Sequence, residues 1–312
     1  MKKKQHKTVM GKPEVSVIMP VYNGEQYLEQ AIESILNQTF ENFEFIIIDD
    51  NSTDHTPSIL TNYSAMDQRI TIVKNTSSLG ITKSLNLGVK LAVGDYVARM
   101  DADDVSLKKR LSKQLDFLKK SPEIVLCGTR VLTVKADYGK KYIWKTPEDI
   151  KAALFFMNAI IHPSVMIKRE ILIKYFYDES YNVAQDYDLW CRISNDFQVA
   201  NIDEALLEYR WHTSNISLFK KMEVMNNHFR VKLKLLKNLL DREANESEIH
   251  LHSMLTGYAT FEPSKFNELQ RWCDLLFTIN LVQKIYDDTS FKKIMDYRLA
   301  RIAEKHGISL KL

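Results

Sequence analysis

Two periodicities alternate along the first hundred residues. Val15–Met19 is a short apolar run ended by Pro20, and Tyr27, Leu28, Ala31, Ile32, Ile35 and Leu36 then recur at the spacing of one helix face. Phe43–Ile48 is a second apolar run, rich in Ile and too short for a helix. Ile70–Val73 and Tyr96–Met100 read as a third and a fourth strand. Helices through Leu60 and Tyr63 and over Thr82–Val93 fill the intervals, the second closed by Gly94 as its C′ residue. Strands separated by helices of ~10–15 residues predict right-handed βαβ units and a parallel sheet.

Beyond residue 104 the pattern loosens. Leu107, Leu111, Leu115 and Leu118 mark a helix stopped by Ser121-Pro122, and Ile124–Val134 reads as a strand. Aromatic residues follow at Tyr142, Trp144, Phe155 and Phe156; His162–Ile167 is a loop entering a strand. Gln185–Trp190 opens a short helix, and Ala205–His212 reads as a strand. After Ser217 the patterns are long and helical, broken only at Gly257, Pro263 and Gly307. The expected organisation is a basic tail over 1–12, an α/β unit over 13–217 divided at 104/105, and a helical extension over 218–312.

A net charge of +3 is too small to argue for nucleic acid as a partner. The basic residues cluster, however, in Lys2, Lys3, Lys4, His6 and Lys7 and again between Lys220 and Arg242. Cys127, Cys191 and Cys273 are far apart and fit no metal spacing, so a reduced cytoplasmic setting is expected. No apolar run reaches the ~18–20 residues of a membrane span, and the N-terminus lacks the apolar core of a signal peptide.

The chemistry concentrates where strands are expected to end. Tyr96–Asp104 reads as a buried strand finishing in three carboxylates, Asp101 and Asp103 on one face and Asp104 on the other, with only Arg99 nearby to neutralise them. Ligands of α/β folds bind at such ends. Hard oxygen donors favour Mg²⁺ or Mn²⁺, often bridged to substrate phosphates. A solvated acidic turn capping a helix that starts near Ser106 would account for the same residues. Asp50 follows a buried strand and suits a hydrogen bond from a base or ribose, or a helix cap. Asp186 sits at a helix N-terminus, where the dipole favours the ionised form a general base needs. Asp188 faces away from it. Leu189 reads as core, and Trp190 as core or pocket wall. His162 reads as structural. Arg210 and His212, on one strand face with Ser214 and Ser217 beyond, suit a diphosphate or a metal, or a solvated strand end.

The runs Val15–Gly24, Ile48–Asp54, Gly94–Asp104, Gln185–Trp190 and Tyr209–His212 together resemble the family 2 glycosyltransferases over about Pro13 to Ser217. The resemblance implies the A-type glycosyltransferase fold: an α/β architecture with a mainly parallel, Rossmann-like sheet flanked by helices, here with a C-terminal helical extension. It implies a nucleotide-sugar half over 13–104 and an acceptor half over 105–217. It also implies inverting, metal-dependent transfer from a nucleotide sugar, usually a UDP-sugar, to a saccharide or lipid-linked saccharide in surface polysaccharide assembly. Carried over by motif, Pro20, Tyr22 and Asp50 border the base and ribose, and Asp101 faces the ribose–diphosphate. Asp103 ligates Mn²⁺ or Mg²⁺, Asp186 is the catalytic base, and His212 approaches the metal or diphosphate. Arg210 and Lys83 are further nucleotide contacts. Gln185 departs from the pattern, since many members carry Glu before the base, and this bears on the acceptor. Two other classes fit parts of the pattern. Metal-dependent nucleotidyl transfer lacks a Gly-rich phosphate loop here, and a phospho-acceptor signalling domain would leave Asp186 and His212 idle. For the extension, packing on the catalytic unit with a solvated basic face competes with docking to a second copy or to an anionic membrane at its cytoplasmic face.

Overall fold

The computed structural model describes residues 11–133, 144–212 and 220–309. The basic tail at Lys2–Lys7, Tyr142, Ser214 and Ser217 lie outside the described residues. The first hundred residues form β1 (Val15–Val21), α1 (Leu28–Leu36), β2 (Phe43–Asp49), α2 (Thr56–Met66), β3 (Ile70–Lys74), α3 (Ile81–Leu91) and β4 (Tyr96–Arg99). Then come β5 (Val105–Ser106), α4 (Arg110–Lys120), β6 (Ile124–Thr133), α5 (Pro147–Leu154), β7 (Met166–Lys168), α6 (Arg169–Tyr175), α7 (Gln185–Asp196) and β8 (Gln198–Tyr209). Among the described residues, the α-helices that follow are α8 (Lys221–Leu240), α9 (Glu246–Thr256), α10 (Phe266–Gln283) and α11 (Asp288–Lys305).

The strands form one sheet in the order β3-β2-β1-β4-β7-β6-β8-β5. The pairs β1–β2, β1–β4, β2–β3 and β6–β8 are parallel. β7 enters antiparallel to both β4 and β6, and β5 is antiparallel to β8. The expected parallel order therefore holds for β1 to β4, and beyond β4 the sheet is mixed. Period-two alternation divides the core: Val15, Val17, Met19 and Val21 face α1 and α4, while Ile18 packs with Leu85 and Val89 of α3. Both faces are buried, which is why β1 and β2 read as unbroken apolar runs.

Several boundaries differ from the sequence reading. Helix α3 ends at Leu91 with Ala92 as its cap, so Gly94 is not its C′ residue. A Cβ at Gly94 would stand 2.7 Å from the Ser16 amide nitrogen, so close approach to β1 is what requires glycine there. The helix expected near Ser106 starts at Arg110, because Val105–Ser106 pairs with β8 instead. β8 begins at Gln198 and stops at Tyr209, leaving Arg210 and His212 beyond the strand rather than on one of its faces.

The helices after residue 220 share one apolar cluster with α3, α5 and α7, through Val231, Leu236, Leu255, Leu269 and Phe291. Lys232, inside the basic stretch between Lys220 and Arg242, is buried there rather than part of a solvated face. Among the described residues, no helix is long and apolar enough to cross a membrane.

Candidate functional site

The C-terminal ends of β1, β2 and β4 lie side by side, as parallel pairing requires. β1 delivers a half-buried Pro20 and an exposed Tyr22. The following loop is latched to the one after β2. The Asn23 amide donates to Ser52 Oγ at 3.0 Å, Gly24 N to Thr56 Oγ1 at 2.9 Å, and Thr53 N to Asn23 Oδ1 at 2.9 Å.

Asp50 is buried, and its carboxylate is occupied by the protein itself. Oδ1 accepts from Asn75 Nδ2 at 2.7 Å, Leu79 N at 2.8 Å and Ser84 Oγ at 3.2 Å; Oδ2 accepts from Ser78 Oγ at 2.8 Å and Gly80 N at 2.9 Å. Burial pushes its pKa up, but these bonds outweigh burial and hold it below the ordinary carboxylate value. The carboxylate thus folds the loop before α3, where Gly80 takes a φ of +85°. Lys83 is exposed on the first turn of that helix. Asp49 accepts from Ser52 N at 2.9 Å and closes the turn after β2.

The acidic run after β4 behaves differently. The strand ends at Arg99, so alternation stops there, and the expectation that Asp104 points away is corrected. Carboxylate oxygens of Asp101, Asp103 and Asp104 lie within 4.8 Å of one another. Asp101 pairs with the buried Arg99 guanidinium. Asp103 Oδ2 is 2.8 Å from His212 Nε2. Asp104 Oδ1 accepts from the Arg210 amide at 3.0 Å, whereas its buried Oδ2 has no hydrogen-bond partner among the described residues. Burial and the charge on Asp101 raise the pKa of Asp103 against the pull of His212. Burial, Asp101 and Asp103 push Asp104 up to about 9. Beneath the cluster, the fully buried Arg110 donates to the carbonyls of Arg99 at 3.0 Å and Pro163 at 2.7 Å. A second guanidinium therefore backs these acids besides Arg99.

Arg210 and His212 reach the cluster from the far end of the α/β region and enclose Tyr27. The Arg210 guanidinium carbon lies 5.0 Å from the Tyr27 ring centre, and the His212 ring centre lies 5.0 Å from it on a tilted plane. Arg210 also bonds Gln30.

Asp186 stands in the first turn of α7 and accepts from Asn158 Nδ2 at 2.8 Å through Oδ2. The buried Tyr177 lies within electrostatic reach of both this carboxylate and Asp101. Burial raises its pKa foremost; Arg99 opposes this, and the charges of both Asp186 and Asp101 add to it. Its hydroxyl is 2.9 Å from Nε2 of the buried His162, whose protonation burial and Arg99 suppress. Asp188 faces the other way, on Arg192 Nε at 2.7 Å and Lys234 Nζ at 3.6 Å. Leu189 and Trp190 are core. Asn158, Tyr177 and Arg110 are not singled out by the sequence, and Tyr27 reads there only as part of a helix face. Of the first three, only Arg110 left a signal there, as a cation beside the apolar positions of an amphipathic helix.

The sequence profile of the family described as "Glycosyl transferase family 2" matches residues 16–176. The chain is 40% identical over 219 residues to an uncharacterized glycosyltransferase of Haemophilus influenzae, covering 66% of this chain and 68% of that one. It is 36% identical over 209 residues to the O-antigen biosynthesis glycosyltransferase WbnJ of Escherichia coli, covering 64% of this chain and 81% of the relative. In three dimensions it resembles the mannosyltransferase PcManGT of Pyrobaculum calidifontis, solved with GDP-Man and Mn²⁺. The TM-score is 0.61 at 17% identity, over 95% of this chain and 88% of that one.

Proposed function

The chain belongs to glycosyl transferase family 2 and has the A-type glycosyltransferase fold, and on that premise we propose a metal-dependent, inverting transfer from a nucleotide sugar to a hydroxyl. Membership sets aside the nucleotidyl-transfer and phospho-acceptor readings. The observation that carries the proposal is the contact of Asp103 with His212, 109 residues away, at the rim of the acidic cluster.

The cluster suits a divalent cation. Three carboxylates crowd within 4.8 Å, one buried oxygen of Asp104 lacks a donor among the described residues, and burial and crowding push the Asp104 pKa up. Oxygen donors with one imidazole fit Mn²⁺ or Mg²⁺, which Asp103 and His212 would hold. Bound there, the cation supplies Lewis-acid stabilisation of the leaving diphosphate, worth several kcal/mol of barrier. On this reading Asp101 faces the ribose–diphosphate and Arg210, whose guanidinium lies over Tyr27, supplies positive charge to it. Pro20, Tyr22 and Lys83 border the nucleotide. For Asp50 the filled carboxylate favours an indirect part, shaping the loop against which the base lies. Asp186, held by Asn158, takes the proton of the acceptor hydroxyl as its oxygen attacks the anomeric carbon and the bond to the diphosphate breaks on the opposite face. Single displacement needs no enzyme nucleophile and inverts the centre. A UDP-sugar donor and a saccharide or lipid-linked saccharide acceptor in surface polysaccharide assembly fit the family, and the O-antigen relative supports the setting.

A screen of UDP-glucose, UDP-galactose, UDP-N-acetylglucosamine and GDP-mannose with Mn²⁺, with product anomers read by NMR, tests the reading. The expected product of an α-linked donor is β-linked, and Asp186→Asn lowers turnover at least ~10²-fold while UDP still binds. An α-linked product, or UDP affinity falling in step with turnover, would overturn these assignments.

A further inference from the structure

The loop carrying Asp186 is bent at an unfavourable residue. Ala184, the N-cap of α7, has φ +66°, and its side chain makes no capping bond. Left-handed backbone is routine for glycine and strained for alanine, so it persists only where neighbours over-determine it. Those neighbours are identifiable. The carbonyl of Val183, immediately before the bend, accepts from Asn227 Nδ2 at 3.1 Å. Asn227 lies on α8, is buried, and receives Arg230 Nη1 on its Oδ1 at 3.2 Å, which turns its amide nitrogen toward Val183. The same helix face packs on the residues around the bend. The Arg230 guanidinium carbon and Lys234 Nζ each lie 4.9 Å from the Tyr181 ring centre, and the His228 and Tyr187 rings are 5.1 Å apart. From the nucleotide side, Thr82 Oγ1 donates to the Tyr181 carbonyl at 2.6 Å.

We propose that Asn227 is a positioning residue for Asp186: from the helical extension it holds the bend at Val183–Ala184 that aims the carboxylate. The inference rests on the reading of Asp186 as the base. It revises the expectation that residues after 220 serve only packing or association, because one of them sets the geometry of the reacting group. Asn158 restrains one carboxylate oxygen directly, while Asn227 fixes the backbone that carries it. Small displacements of such a group are costly, since a misplacement of about 1 Å lowers rate up to ~10²-fold.

The test pairs Asn227→Asp with Ala184→Gly. Aspartate keeps the size of the side chain and still accepts from Arg230, but its carboxylate cannot donate to the Val183 carbonyl. Glycine adopts the bend without strain. Hydrolysis is followed with the four nucleotide sugars above and Mn²⁺, UDP binding by calorimetry, and amide exchange over residues 181–190. N227D is expected to lower kcat about tenfold with UDP affinity within about twofold, and to speed exchange at 185–188. In the double variant, kcat should return to within about threefold of A184G alone. Arg230→Met, at an exposed position, should give a smaller loss of the same kind, about threefold, and covers the case in which N227D does not fold. Unchanged kcat and exchange in both N227D and R230M, or a loss as large in the glycine background, would overturn the inference. Asp186→Asn separates the two levels: if it is inactive while N227D and R230M are unimpaired, only the positioning role falls; if it is fully active, both readings fall.

Discussion

β2 and β4 both lead into aspartates at their C-terminal ends, which lie on the same side of the parallel part of the sheet, and the environments of these acids differ in kind. After β2, Asp50 receives five hydrogen bonds from the protein, two of them from backbone amides, and stays ionised. After β4, Asp101, Asp103 and Asp104 crowd one another, a buried oxygen of Asp104 has no donor among the described residues, and burial and crowding favour protonation of Asp103 and Asp104. The first arrangement satisfies a charge and spends it on shaping a loop. The second leaves charge unsatisfied, which suits a ligand that brings positive charge of its own. Residue type and position are shared; what separates scaffold from site is whether the chain fills its own acceptors.

Substitutions should split along that line. Asp103→Ala is expected to lower turnover at least ~10²-fold without lowering the melting temperature, since it relieves a crowded acid. Near-normal turnover would remove Asp103 from the site. Asp50→Ala is expected to do the opposite: a loss of about 2–4 kcal/mol in unfolding free energy, because five donors lose their acceptor. Denaturant unfolding measures it, and an unchanged midpoint would show that the loop before α3 does not depend on this carboxylate.

The smallest effect is in pH, and its sign differs between the two ends. Asp50 has a lowered folded-state pKa, so its contribution is present above the unfolded value near 3.8 and is lost as pH falls through the folded one. Asp104 has a raised pKa, so its contribution is present below 3.8 and is lost as pH rises toward about 9. Metal-free protein should therefore lose a few degrees of melting temperature between pH 6 and 9, and Mn²⁺ should restore more at pH 8.5 than at pH 6. Thermal melts of wild type and Asp104→Asn check this; equal slopes in the two would remove Asp104 as the source.

Much of this contrast could be read in advance, though unevenly. Apolar runs and helical spacing located β1 to β4 because short βαβ units are built from local pattern. The acidic run after β4 was visible as chemistry, but strand alternation was extended past Arg99, where the chain turns, and so Asp104 was assigned to the wrong side. Asp50 was recognisable by position, yet its partners lie 25 to 34 residues downstream, in a loop with no periodicity. Arg210 and His212 were found by residue type and placed on a strand that stops at Tyr209, one residue before the first and three before the second. Asn158 and Asn227 left no mark, since an asparagine's role depends on contacts that sequence spacing does not encode. The basic pattern of α8 concealed Lys232, whose burial among apolar neighbours runs against its charge.

The central claim is that the carboxylates after β4 receive a cation that makes the nucleotide site. Calorimetric titration of UDP into wild type and Asp103→Ala, each with Mn²⁺ and with EDTA, addresses it most directly. The account predicts wild-type binding at least ~10-fold tighter with Mn²⁺, and no metal effect in Asp103→Ala. Equal affinity in Mn²⁺ and EDTA, or a full metal effect without Asp103, would contradict it.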